Sequence, residues 1–225
     1  MTDDLKFWYL RDHKLFEALD EVQIQSLCVV SGFKEGIKGD EIHFSKADQS
    51  RIFLLKKGNI KIIAFDEDGN ETIKEILKKG DLFGELSLNI NPNGNEYAKV
   101  LSDEVSLCSF LISDFEKILI QNPTLALNYT KFVGLKMMEF KNNYANLVSK
   151  DAKSRLIIFL KEWATREGKK EGDKYTIQNY LTQTDIAQII CTSRQTTTVL
   201  MKELEDKNLI YYNRNVIMID NIHKL

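Results

Sequence analysis

Cysteine is scarce in this chain, and so are the features that need it. The three cysteines, Cys28, Cys108 and Cys191, lie far apart and form no CxxC pair and no Cys/His cluster. An iron–sulfur or other metal site is therefore not expected, and reduced thiols in a cytoplasmic protein are. No run of about 18 or more apolar residues occurs, so no transmembrane helix is expected and no membrane partner. The opening "MTDDLKFWYL" has no basic region before an apolar core and does not read as a secretory signal. There is no Walker loop, no GxGxxG after a strand, no catalytic-triad spacing and no metal constellation. An enzyme is not expected, no catalytic residue stands out, and no cofactor is implied beyond a small effector of unknown identity. Excess positive charge is missing too. The net charge is −2, which argues against a strongly basic coat protein for nucleic acid. Residues 151–225 hold 12 Lys+Arg and 10 Asp+Glu, and residues 1–150 hold 19 and 23. The mildly positive part is C-terminal.

What is present has the composition of a soluble globular protein, 43% hydrophobic and 28% charged. Its 225 residues suffice for one large domain or two ordinary ones. Residues 5–30 read as short amphipathic helices. From Phe33 to Phe110 short β-rich runs alternate with Lys-Lys-Gly and Asp-Glu-Asp-Gly-Asn turns. Ile60, Ile62 and Ala64 alternate with Lys61 and Ile63, and Asp68-Gly69 is a hairpin signal. Short strands at about ten-residue spacing predict an antiparallel barrel or roll. "SDFEKILIQNP" then reads as a short helix with Ser113 as its N-cap, and Asn122-Pro123 restarts the chain with a new cap and a first-turn proline.

One long helix follows, to about Ser149. Ala126, Thr130, Val133, Met137, Phe140, Tyr144 and Leu147 recur at alternating spacings of 4 and 3, which is a heptad seam. Leu125, Tyr129, Phe132 and Leu135 form a second apolar line beside it. One line can pack on the chain's own barrel, while the other needs a partner. A helix buried within one domain and a parallel dimer helix both fit; its length favours the dimer. Residues 151–167 read as a further helix capped by Asp151, and "GKKEGDK" as a polar, flexible stretch.

The most informative segment is "LTQTDIAQIICTSRQTTTVLMKELEDKNLIYYNRNVIMID". Thr182 and Asp185 make a capping-box-like pair before a short helix ending near Ile190. Cys191-Thr192 turns the chain, and Ser193 caps a second helix whose inward positions are Thr197, Leu200, Met201 and Leu204. A hairpin around Asn213-Arg214-Asn215 follows. Short helix, turn, longer helix and hairpin make a winged helix-turn-helix. The outward residues at the head of the second helix, Arg194, Gln195, Thr196 and Thr198, are cationic or hydrogen-bonding, with no acid among them. Arginine can hold guanine O6 and N7, and glutamine can hold adenine N6 and N7. Acids appear only at the far end, at Glu203, Glu205 and Asp206, the reverse of what the helix dipole alone favours. An αα-hairpin serving structure alone is the blander alternative.

On these residues the chain resembles the Crp–Fnr superfamily of bacterial transcription regulators over nearly its whole length. The motifs are "GDLFGELSL", the long heptad helix and "TQTDIAQIICTSRQTTTVLMKELEDKNLI", in that order. The resemblance implies an α+β protein: an N-terminal cyclic-nucleotide-binding-like β-roll (a double-stranded β-helix of jelly-roll or cupin type) over residues 1–122, a dimerisation helix over 123–150 and a winged helix-turn-helix over 151–225. It implies a homodimer on a near-palindromic promoter site in double-stranded DNA, with RNA polymerase as partner. Val133, Met137, Phe140, Tyr144 and Leu147 would form the dimer interface. Arg194, Gln195 and Thr198 would meet base edges, and Thr182, Thr184 and Thr196 would lie near phosphates, with Ser193 at the same helix head. Gln195 stands where the family often has glutamate, Val199 where several members have a base-reading arginine, and Cys191 where a turn glycine is usual. In that turn a left-handed backbone would cost about 1 kcal/mol, and the thiol is either a structural cysteine or a redox switch.

The resemblance also assigns an effector pocket: Gly84, Glu85, Leu86, Glu96, Tyr97 and Lys99, with Phe140 and Lys141 of the long helix nearby. Members that bind cyclic AMP use a glutamate on the ribose, which Glu85 matches, and an arginine and a small hydroxyl residue on the phosphate. Here those two positions fall on Glu96 and Tyr97. A phosphate at ~4 Å from Glu96 would meet a repulsion of roughly 4 kcal/mol at an effective dielectric near 20, and a lost arginine bond adds about 1.5–3 kcal/mol. Cyclic AMP bound through the usual arginine is therefore not expected. A neutral or cationic effector, or activity without any ligand, stays open. So does haem sensing through His13 or His43. The iron–sulfur branch lacks its cysteine cluster. A rival of another class is a ligand-binding regulatory subunit without DNA binding, which the roll fits and the winged helix does not.

Overall fold

The computed structural model describes residues 7–8, 10–17, 19–30, 32–46, 49–65, 68–84 and 96–225, and the chain divides into two compact units, Met1–Met138 and Glu139–Leu225. In the first unit helix α1 (Glu21–Val30) precedes strands β1 (Gly32–Ile37), β2 (Glu41–His43), β3 (Ser45–Lys46), β4 (Gln49–Lys57), β5 (Ile60–Phe65), β6 (Glu71–Leu77), β7 (Leu82–Gly84), β8 (Glu96–Val100) and β9 (Glu104–Leu111). Helices α2 (Ile112–Gln121) and α3 (Pro123–Ser149) follow, and α3 crosses the division between the units.

The strands form two antiparallel sheets. One runs β1-β9-β4-β3 with β7 on β4, and the other runs β2-β8-β5-β6. Alternation along β4 and β9 explains the layering. Ile52, Leu54, Cys108 and Phe110 pack with Phe16 of a turn and the helical residues Ile24, Phe115 and Leu125, whereas Phe53, Leu55, Val105 and Leu107 pack with Ile42, Ile60, Ala98 and Val100 of the other sheet. Successive side chains of a strand point to opposite faces, so β9, buried without a break from Val105 to Phe110, lies where both faces are covered. Burying one such Leu, Ile or Phe contributes about 1.5–3 kcal/mol. The expected β-roll is formed.

Three local expectations need correction. The alternation in β5 fails at Ile63, which is 1% exposed. Ile63 lies opposite Tyr97, itself 2% exposed, so both faces of β5 are covered there; on the other side Ile62 pairs with Glu75 and Ile63 with Ile73, which makes Lys74 the extra residue of a β-bulge in β6. The hairpin closes from Phe65 to Glu71 over five residues, with Gly69 at φ +81°. Ser113 does not cap α2. The helix starts at Ile112, and Leu111 holds the cap position without a side-chain hydrogen bond, because β9 runs directly into the helix. Pro123 does open α3, but Asn122 faces backwards: its Nδ2 donates to the Ile118 carbonyl at 3.0 Å and its Oδ1 accepts from Gln23 at 2.5 Å.

The second unit holds the end of α3, then α4 (Ala152–Glu167), β10 (Lys169–Glu171), β11 (Lys174–Gln178), α5 (Gln183–Ile189), α6 (Arg194–Asp206), β12 (Ile210–Tyr212) and β13 (Val216–Ile219). The sheet order is β10-β11-β13-β12. Asp151 caps α4 by accepting from the Ser154 amide at 2.7 Å. "GKKEGDK" is not a loose linker. It forms β10 and the start of β11, paired Lys169 to Thr176 and Glu171 to Lys174, with Gly172 turning at φ +63°. Its polar composition marks an exposed edge strand rather than a lack of structure.

Candidate nucleic-acid interface

The reading helix is built by its caps. The Thr182 side chain accepts from the Asp185 amide at 3.1 Å, and the Thr182 amide and hydroxyl both donate to Asp185 Oδ2, at 2.8 and 2.7 Å. This capping box starts α5, whose buried face is Asp185, Ile186 and Ala187. The Ser193 hydroxyl accepts from the Thr196 amide at 3.0 Å and starts α6. Thr197, Met201 and Leu204 are its buried positions and Leu200 is half-buried. Between the helices Cys191 takes φ +51°, a left-handed conformation that costs a non-glycine residue roughly 1–2 kcal/mol. Its thiol is exposed.

Arg194, Gln195, Thr196, Thr198 and Val199 are all exposed on the head of α6, and Thr184 is exposed on α5. The first turn of α6 holds no acid. The Thr198 hydroxyl donates back to the Arg194 carbonyl at 2.9 Å. That of Thr182 is engaged twice by Asp185, so its hydroxyl serves the fold first. At the other end of α6 the acids are neutralised. Glu203 is held by Lys153 at 2.5 Å and Lys207 at 2.7 Å, which press its carboxyl down to about 2, and Lys202 meets Glu205 and Asp206 at 3.1 and 3.2 Å.

Two further features escaped sequence reasoning. Arg214 is exposed at the tip of the β12–β13 hairpin, where Asn213 Oδ1 accepts from the amides of Asn215 and Val216 at 2.8 and 3.0 Å. Arg155 of α4 donates to the carbonyls of Ile190 and Cys191 in the turn before α6 and to that of Lys150 at the end of α3. The first was visible as a cation flanked by turn asparagines; the second had no local sequence signature.

The sensor loop is only partly described: Glu85 and Leu86, and the turn at Asn91–Gly94, lie outside the described residues. Gly84 sits at φ +96°, and a Cβ there would meet the Arg51 carbonyl at 2.4 Å, so glycine is required for β7 to approach β4. Glu96 opens β8 and forms an ion pair with Lys74, the bulge residue of β6. The repulsion expected from Glu96 is reduced, because a cation reaches it from β6, beyond β5 in the sheet, rather than from the loop. Lys99 does not serve Glu96; it faces Glu41 at 3.6 Å. Asp81 is met by Lys136 of α3 at 3.4 Å, and the same ammonium reaches Glu75 at 2.9 Å. Tyr97 is 2% exposed and donates to Glu71 at 2.7 Å. Desolvation and that carboxylate hold its phenol well above the ordinary range. Phe140 belongs to the second unit and is exposed. His13 is engaged in the fold: Nε2 donates to the Gly80 carbonyl at 2.7 Å while Nδ1 accepts from the Leu15 amide at 3.1 Å.

Helix α3 divides its apolar lines. Leu125 and Tyr129 are buried and Phe132 packs beside them on the first unit's core, while Leu135 is exposed. Val133, Met137, Phe140, Tyr144 and Leu147 of the seam are 40–66% exposed in the single chain.

Residues 154–225 match the model of the Crp-like helix-turn-helix domain, and residues 35–122 match that of the cyclic nucleotide-binding domain. The chain belongs to the Crp–Fnr superfamily. This Crp–Fnr protein is a DNA-binding transcription regulator and not an enzyme. It is 29% identical to the global nitrogen regulator of Synechococcus elongatus over 185 residues, which covers 82% of this chain and 83% of that one. To the CRP-like cAMP-activated global transcriptional regulator of Mycobacterium tuberculosis it is 25% identical over 193 residues, covering 86% and 81%. A CooA mutant from Carboxydothermus hydrogenoformans shares the fold, with a TM-score of 0.73 at 22% identity and coverage of 96% and 95%. Among the described residues of this regulator no helix is long and apolar enough to cross a membrane.

Proposed function

We propose that this regulator is a cytoplasmic homodimer that reads a near-palindromic promoter site in double-stranded DNA and acts there on RNA polymerase. One observation carries the reading: a single chain presents a bare, acid-free helix head and a bare apolar seam on a separate helix. Arg194, Gln195 and Thr198 are the base-reading residues, and Thr184 and Thr196 face phosphates. Thr182 and Ser193 contribute through the amide-rich helix starts that they cap. Two such heads in a dimer fit half-sites one DNA turn apart, about 34–36 Å.

The sensor roll does not hold cyclic AMP through an arginine. A relative carries cAMP activation in its name, but the arginine position in this chain is Glu96, already committed to Lys74. The ion pair lowers the repulsion that a phosphate would meet there, so the missing guanidinium, rather than like charge, is the larger deficit. A neutral or cationic effector, or none, fits this arrangement.

Selection of bound fragments from random duplex DNA tests the reading. The selected site should be two-fold related. Log K should fall linearly with log salt, by about 0.9 for each phosphate neutralised. A chain that ignored every duplex at low ionic strength would overturn the proposal and favour a regulatory subunit without DNA binding.

A further inference from the structure

Arg155 reaches around a joint. Its Nη1 donates to the Lys150 carbonyl at 2.6 Å, its Nε to the Ile190 carbonyl at 2.8 Å and its Nη2 to the Cys191 carbonyl at 3.2 Å. The first lies at the end of α3, which stops at Ser149, and the other two lie at the end of α5, which stops at Ile189. Carbonyls at helix C-termini lack intrahelical partners and carry the negative end of the dipole, so a cation there is favoured. One guanidinium serves both ends, and its donors are fixed in a planar fork. The angle between the two ends is therefore set by a rigid group.

The joint itself is short. Helices α3 and α4 are separated by Lys150 and Asp151 alone, and Asp151 is extended at φ −71° and ψ 168°. The Lys150 amide still donates to the Asn146 carbonyl at 3.0 Å, and the Asp151 cap closes α4, so the change of direction falls at Asp151. A second arm from α4, Lys153 to Glu203, grips the far end of α6. The reading helix is thus held at its head through the Cys191 turn and at its tail through Glu203, both from α4.

We propose that Arg155 is a positioning residue that fixes the direction of the reading helix against the end of α3, and so selects the spacing between half-sites. This rests on the homodimer reading above. One inserted base pair turns a half-site by about 35° and moves it by about 3.4 Å. A clamped joint cannot follow that displacement, whereas an unclamped one can.

The test uses full-length wild type, Arg155→Gln and Arg155→Lys. The duplexes carry the selected half-sites at the selected spacing and with one or two base pairs inserted or removed. Wild type should lose roughly tenfold or more in affinity per base pair, within the usual range of coupling between sites. Arg155→Gln should lose about threefold or less, with Arg155→Lys between them, since an ammonium cannot span three carbonyls as a fixed fork does. Base preference within a half-site and the salt slope should stay unchanged, because Arg155 reads no base and meets no phosphate. Ratios between spacings cancel the folded fraction, so a partly unfolded variant still answers; if Arg155→Gln does not fold, Arg155→Lys carries the test. An equal loss at every spacing would overturn the proposal and leave Arg155 a merely stabilising residue. A wild type that bound one half-site as tightly as two would overturn the dimer reading instead.

Discussion

Replacing Phe140 with aspartate probes the seam where it is most exposed. The ring is 66% exposed in one chain. A phenylalanine buries about 150–250 Å² when fully covered, so a partner helix would cover on the order of 100–160 Å² here. At about 25 cal/mol per Å² that amounts to roughly 2.5–4 kcal/mol. A two-fold interface contains the position twice, which doubles the loss to about 5–8 kcal/mol. Even the lower figure raises the dimer dissociation constant by more than three powers of ten. Sedimentation equilibrium across the micromolar range should therefore find a dimeric wild type and a variant at the 26.0 kDa of one chain. Leu125 supplies the control. It is fully buried in the first unit, so Leu125→Ala should lower the unfolding midpoint, by about 2–5 kcal/mol of stability, and leave the association constant unchanged. If Phe140→Asp kept its dimer with a dissociation constant within about threefold of wild type, the seam would not be the interface.

The other predictions concern the reader, the sensor and acid sensitivity. Arg194→Ala should cost about 1–3 kcal/mol on the selected site and relax the preference at one position; unchanged affinity in a competition titration would remove that helix from the base edges. Calorimetry with cyclic AMP and cyclic GMP should show no binding at micromolar concentrations, and clear heat at low micromolar ligand would overturn the reading of Glu96. Desolvation lowers the His13 pKa below its ordinary 6.5, so the fold favours neutral imidazole. The stability this contributes is complete above about pH 6.5 and is lost as pH falls through the depressed value. The urea midpoint of wild type minus that of His13→Gln should shrink from about pH 7.5 to about pH 5; a difference that did not change with pH would contradict the assignment.

The second unit was readable because its instructions are local. Thr182 with Asp185, Ser193 with Thr196 and Asn213 with Val216 are caps and turns that complete themselves within three residues. The first unit's elements were also legible, but not their details. Ile63 is buried on the face it shares with Tyr97, more than thirty residues away in the chain, so the alternation of β5 alone could not show it. The partner of Glu96 is Lys74 and that of Asp81 is Lys136, 22 and 55 residues away, so the charge balance of the loop could not be drawn from the loop alone. Ser113 misled because a good capping residue carries no information about a strand that runs on without a break. "GKKEGDK" misled because an exposed edge strand and a linker share one composition. Arg155 lay hidden for a further reason: its partners are main-chain carbonyls, which every sequence has.

The Lys74–Glu96 pair makes a change of ligand hard to reach by small steps. Arginine at 96 alone would set its guanidinium beside an ammonium, and glutamate at 74 alone would oppose two carboxylates. Each single exchange is penalised until the other is made or an anion arrives between them. A lineage that carries this pair is turned away from phosphate ligands by a shallow valley between two states, crossed when both charges change or when the anion itself fills the gap.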